Sequence, residues 1–119
     1  MKTVLVCSDN LFLRPRLERS LRDAGWEVRW GRAAGDVASG RGEFDAVLVD
    51  LGSSRIDWRG IVAAAREPGG RELPVVAFGP HVDRESFRAA AQAGCVRVVP
   101  NGRIAHDAGE VLRDLVVHE

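Results

Sequence analysis

The chain has 119 residues, 45% of them hydrophobic, and its 17 basic and 17 acidic residues leave no net charge at pH 7. That length predicts one domain able to close its own core, hiding roughly two-thirds of the unfolded surface, and the apolar content excludes a disordered chain. The charge balance excludes a strongly basic nucleic-acid binder and a polybasic membrane anchor.

Thr3 to Cys7 is a short β-branched apolar run and predicts a buried strand. It is too short for a transmembrane span, and it meets Asp9 too early for a signal peptide. Leu13, Leu17 and Leu21 recur every four residues, predicting an amphipathic helix that starts near Pro15 and stops at Gly25. Trp26, Val28 and Trp30 alternate with Glu27 and Arg29, as on a strand at a sheet edge. Ala33 to Ser39 is a short helix candidate.

Phe44 to Leu51 is a second continuous apolar strand with Asp50 near its end, and Gly52-Ser53-Ser54 is turn chemistry. An alanine-rich helix follows from Gly60 to Arg66 and ends near Pro68-Gly69-Gly70. Leu73 to Phe78 predicts a third buried strand, closed by Gly79-Pro80. Asp83 can cap a helix running to Ala93, with Gly94 just beyond it. Cys95 to Val99 predicts the last strand. Ile104, Ala108, Val111, Leu112, Leu115 and Val116 form the apolar stripe of a closing helix.

Strands and helices in strict alternation predict an α/β fold, a parallel sheet with helices on both faces. Ligands of such sheets gather beyond the carboxyl ends of the strands. Ser8-Asp9, Asp50, Gly79 and Pro100-Asn101 are therefore the residues to read. Asp9 and Asp50 should end neighbouring strands. Two carboxylates there repel, and Mg²⁺ would relieve the repulsion; spacing alone favours the plainer role, in which an Asp after a strand caps the next turn or helix through its side-chain oxygen. No phosphate-binding glycine loop and no serine-hydrolase elbow occurs. Cys7 and Cys95 suggest a reducing, cytoplasmic setting and inert buried thiols, and His81, His106 and His118 lack metal-ligand spacing with them.

The runs Val4 to Asp9, Phe44 to Asp50, Leu73 to Val76 and Ala89 to Gly94 resemble the receiver domains of two-component response regulators, including the chemotaxis-type single-domain regulators. The resemblance spans Thr3 to about Val117. It implies a flavodoxin-like (βα)5 fold, a doubly wound parallel sheet in strand order 2-1-3-4-5, and a single receiver-like domain over residues 1–119. It implies that Asp50 is the phosphoacceptor and that Asp9 and Asp50, with the backbone carbonyl of Gly52, would hold Mg²⁺. Asp57 matches a loop aspartate of the family, followed here by Trp58 instead of glycine.

Other family positions depart from that pattern. Ser8 stands for the first member of the acidic pair, Gly79 for the hydroxyl residue after the fourth strand, and Val98 for the switch aromatic. Asn101, or Pro100 if the loop slips by one, stands where a lysine is expected. Lys2 is the only lysine, so the other 16 of the 17 basic residues are arginine and no realignment restores it. The missing ammonium would have contributed on the order of a few kcal/mol of attraction to an acyl phosphate. The resemblance thus implies an atypical or degenerate receiver: a non-enzymatic, cytoplasmic interaction module with weak Mg²⁺ binding at most. The alternative is a working receiver phosphorylated at Asp50 by a histidine kinase. Expected partners are proteins: a histidine kinase, a signalling output protein or a second copy of the chain. Neither nucleic acid nor membrane is expected, and 119 residues leave no room for an output domain. The family commonly docks partners on its last two helices and last strand, where Arg84, Arg88, Arg97, Arg103 and Arg113 fall.

Overall fold

A computed structural model describes residues 1–67, 72–113 and 115. The elements run β1 (Lys2–Cys7), α1 (Arg14–Asp23), β2 (Trp26–Gly31), α2 (Ala34–Ser39), a 3-10 turn (Arg41–Glu43), β3 (Ala46–Asp50), α3 (Trp58–Ala65), β4 (Val75–Gly79), α4 (Arg84–Ala93), β5 (Arg97–Pro100) and α5 (Asn101–Val111). The strands form one sheet in the order β2-β1-β3-β4-β5, with every pairing parallel. This is the flavodoxin-like order expected from the sequence.

The uninterrupted apolar strands follow from burial on both faces. Alternate residues of each strand point to opposite layers. Leu5, Cys7, Val47, Val49, Val75 and Ala77 pack with Val37 of α2, Ile61, Val62 and Ala65 of α3, and Ala90 of α4. Val4, Val6, Ala46, Leu48, Val76, Phe78 and Val99 pack with Leu17 and Leu21 of α1 and with Ile104, Ala108 and Val111 of α5. The edge strand β2 alternates instead, with Glu27 and Arg29 exposed between partly or fully buried neighbours.

Helix ends obey local chemistry. The Asp83 carboxylate accepts from the Ser86 amide at the head of α4, and Gly94 closes that helix at φ 112°. Gly25, just past α1, also has positive φ.

Several boundaries differ from the sequence reading. α3 begins at Trp58, two residues early, because Asp57 caps it by accepting from the Gly60 amide. β5 begins at Arg97, so Cys95 lies in the turn before the strand instead of on it. Asn101 opens α5, and Pro100 is the last strand residue. The Pro68-Gly69-Gly70 turn and Val116 lie outside the described residues. Both cysteines are free and buried; burial pushes the Cys7 thiol up to about 12 and Cys95 to about 11.

Part of the arginine excess is structural. Arg97 donates from Nη1 to the Val111 carbonyl at 2.6 Å and the Arg113 carbonyl at 3.0 Å, tying β5 to the end of α5. Arg41 donates to the carbonyls of Ala64 and Glu67 at the end of α3. These bonds satisfy carbonyls that a helix terminus leaves unpaired.

Gly109 marks where α5 meets α1. A Cβ there would lie 2.5 Å from the Ala24 Cβ. Alanine is ordinarily the better helix former by about 1 kcal/mol. Here Gly109→Ala should instead destabilise, by roughly 1–3 kcal/mol of overpacking. Ala24→Gly in the same chain should recover most of that loss in thermal unfolding; losses that simply add would show that the two helices do not touch there.

Candidate functional site

The carboxyl ends of β1, β3, β4 and β5 bring Ser8-Asp9, Asp50, Gly79 and Pro100-Asn101 to one edge of the sheet. Asp50 is the centre. Its residue is only 4% exposed, and it and Thr3 are the buried polar residues of the chain's described part. Both carboxylate oxygens have internal donors. The Ser8 hydroxyl donates to Oδ2 at 2.7 Å, and the Gly52 amide donates to Oδ1 at 2.7 Å. Ser8 Oγ in turn accepts from the Asn10 amide at 3.1 Å.

Burial raises the Asp50 pKa above the ordinary carboxylate value, and the charge of Asp9 adds to that rise. The Ser8 and Gly52 hydrogen bonds pull the other way without cancelling it. Ser8 therefore does more than lower the negative charge expected at its position: its hydroxyl satisfies a buried carboxylate oxygen.

The other family positions are also accounted for. A Cβ on Gly79 would meet the Leu51 Cβ at 3.1 Å and the Phe87 ring at 3.6 Å. The place of the expected hydroxyl is thus crowded by apolar groups. Val98 is half-buried in the same layer as Phe87, on the α4 side of the sheet. The Asn101 Oδ1 is buried and accepts no hydrogen bond. Asp57 is committed to capping α3.

Sequence reasoning missed Phe87. Its signal was present, since it stands three residues before Ala90, the buried residue of α4, and shares its face. It also missed the Ser8–Asp50 bond, which joins residues 42 apart in the chain and has no local signature.

The donor set fits a tightly held divalent cation poorly. Asp9 and Asp50 are the carboxylates, and both Asp50 oxygens already accept hydrogen bonds. Among the described residues no group of three or more His, Cys, Asp or Glu side chains is placed to hold a metal ion. Magnesium parts with its waters reluctantly and needs near-octahedral oxygen ligation.

The sequence matches no protein-family model and no curated protein. Solved structures do resemble it. The response regulator receiver domain of Clostridium thermocellum superposes with TM-score 0.80 at 15% identity, covering 97% of this chain and 94% of that one. The response regulator from Hahella chejuensis gives 0.77 at 20% identity, covering 97% and 92%. The Mn²⁺-bound form of response regulator Rcp1 gives 0.76 at 14% identity, covering all of both chains. The chain therefore has the fold of response-regulator receiver domains. At these identities the likeness is one of fold. No helix among the described residues is long and apolar enough to cross a membrane.

A raised carboxylate pKa means that folding favours the protonated form. The resulting stability is full below the ordinary carboxylate pKa and is lost as pH rises through the raised value. Asp50→Asn keeps the shape and removes the buried charge. It should raise the melting temperature at pH 7 by a few degrees, roughly 1 kcal/mol for a chain of this size. The gain should shrink toward pH 4. Melting curves across that range check it; a gain that grows on acidification would contradict a raised pKa.

Proposed function

We propose that this chain is a receiver-type signalling domain with a degenerate phosphorylation site, a pseudo-receiver acting through protein contacts and not as an enzyme. The observation that carries this reading is the state of Asp50: both its oxygens are satisfied internally, in a chain whose only lysine is Lys2 on β1. The internal hydrogen bonds substitute for the metal and ammonium that a working receiver is expected to bring to this carboxylate.

The energetics support the same reading. A phosphoryl group shifts a two-state equilibrium only through contacts made in one state and not the other. Moving a population from mostly off to mostly on takes about 5.5 kcal/mol of differential affinity. The donors left at the ends of β4 and β5 are a backbone amide at Gly79 and the Asn101 amide, each worth about 1 kcal/mol net. The expected inward-moving groups are replaced by Gly79 and Val98, and Phe87 already packs beside Gly79.

The partner surface, on this reading, is the face of α4, β5 and α5. Arg84, Arg88 and Arg103 are exposed there. Arg97 leaves the set expected from sequence because its guanidinium caps α5, and Arg113 is engaged with Glu110. The partners are of the kind receivers use: a histidine kinase, a signalling output protein or a second copy of the chain.

A working receiver phosphorylated at Asp50 by a histidine kinase is the second reading. Its support is the pairing of Asp50 with the nearby Asp9 charge. The similar response regulator RcpA is described in a phosphorylated form, and Rcp1 in a Mn²⁺-bound form. If a metal bound here, Asp9, Asp50 and the Gly52 carbonyl would be its ligands.

Exposure to a small phosphodonor with Mg²⁺, read by intact mass, separates the two. The pseudo-receiver should show no stable phosphoryl adduct. An adduct abolished by Asp50→Asn, together with altered amide exchange across α4, β5 and α5, would establish the working receiver.

A second measurement concerns the metal. Mg²⁺ should bind with a dissociation constant on the order of millimolar or weaker, titrated through Trp58 fluorescence. Ser8→Asp removes the hydroxyl donor and adds a carboxylate. It should destabilise the metal-free protein by about 1.5–3 kcal/mol, the value of a hydrogen bond to a charged group, and tighten Mg²⁺ by about tenfold, equivalent to 1.4 kcal/mol. Unchanged Mg²⁺ affinity would show that Ser8 is not what weakens the site.

A further inference from the structure

On the β2 side of this edge, a cleft of about 340 Å³ opens between the loops after β1, β2 and β3. That volume falls at the lower end of small-molecule sites, roughly 300–1,000 Å³. The formal charges that line it are three guanidinium groups, Arg14, Arg32 and Arg55, and one carboxylate, Asp9. This is a concentration of positive charge in a chain whose net charge is zero. Five of the other arginines, Arg22, Arg29, Arg41, Arg66 and Arg113, are paired with glutamates. Among the described residues, Arg14, Arg32 and Arg55 have no carboxylate partner.

One of the three is held in place. The Trp30 indole Nε1–H donates to Glu18 Oε1 at 2.9 Å, which fixes the ring. The Arg14 guanidinium lies over that ring, 4.3 Å from its centroid. A stacked guanidinium keeps its N–H donors at the rim, where they remain free to bind an anion. Arg14 at the start of α1, Arg32 after β2 and Arg55 after β3 all line the cleft, and guanidinium groups suit the oxygens of a phosphate, which arginine binds through paired N–H donors.

We propose that this cleft binds a small phosphate-bearing molecule, with its phosphate on Arg32, Arg55 and the rim of Arg14, and that Asp9 selects for phosphate over sulfate. The selection follows from the ligand's own proton. A phosphate monoester, with a second pKa of about 6, retains some P–OH near neutrality. That hydrogen can be donated to the Asp9 carboxylate, whereas sulfate has no hydrogen to donate and meets Asp9 only as a repelling charge. The cleft adjoins the Asp50 site through Ser8 and Asp9, but Asp50 is not among its lining residues, and the proposal does not require that Asp50 accept a phosphoryl group.

The test follows the Trp30 indole N–H resonance of the ¹⁵N-labelled full chain at constant ionic strength, without divalent metal. Inorganic phosphate, adenosine 5′-monophosphate and sulfate are titrated separately. Saturable shifts are expected for phosphate or the nucleotide, with sulfate about tenfold weaker, the equivalent of 1.4 kcal/mol. Saturation by free phosphate identifies the inorganic ion as sufficient. Saturation by the nucleotide alone shows that the organic part contributes. Arg32→Ala with Arg55→Ala, both exposed positions, should abolish saturation while the rest of the spectrum stays native. Asp9→Asn should remove the discrimination against sulfate. The proposal is overturned if none of the three anions saturates, if sulfate binds as well as phosphate, or if the double arginine variant binds as the wild type does.

Discussion

A parallel sheet must be covered on both faces, and most of this structure answers to that requirement. β1, β3 and β4 carry apolar side chains in both directions, so neither face can be left in water. Helices supply the covers, α1 and α5 on one face and α2, α3 and α4 on the other. The same connectivity gathers every β-to-α loop at one edge. The chemistry of the protein is therefore concentrated at that edge before any particular residue is considered.

At the edge, the dominant problem is a carboxylate out of water. Desolvating Asp50 penalises its charge, and Asp9 adds repulsion. The fold answers with a hydroxyl and a backbone amide, both supplied by the chain itself. Each Asp50 oxygen therefore has an internal donor. The Phe87 ring comes within 3.6 Å of where a Cβ on Gly79 would stand.

Arginine is put to different uses among the described residues. Some guanidinium groups close helix ends, as Arg97 does for α5 and Arg41 for α3. Others, such as Arg14, Arg32 and Arg55, surround a cleft without carboxylate partners of their own. Composition alone joins these two groups; only position separates structural cations from those available to a ligand.

Much of the fold was legible in sequence because its determinants are local or periodic. Apolar runs marked the strands, the Leu13, Leu17, Leu21 repeat marked α1, and Asp83 with Gly94 marked both ends of α4. Strict alternation of elements then left few ways to wind the sheet. The boundaries that shifted did so where one side chain decides the first turn, as Asp57 does for α3. The sequence also showed that Lys2 is the chain's only lysine, so none follows β5. Tertiary structure alone decided what the remaining residues do. The Ser8–Asp50 hydrogen bond, the meeting of Gly109 with Ala24 and the gathering of Arg14, Arg32 and Arg55 at one cleft all join parts of the chain that are distant in sequence. Such contacts depend on distances of a few ångströms fixed by the packing of whole elements, and neither propensity nor spacing along the chain records them.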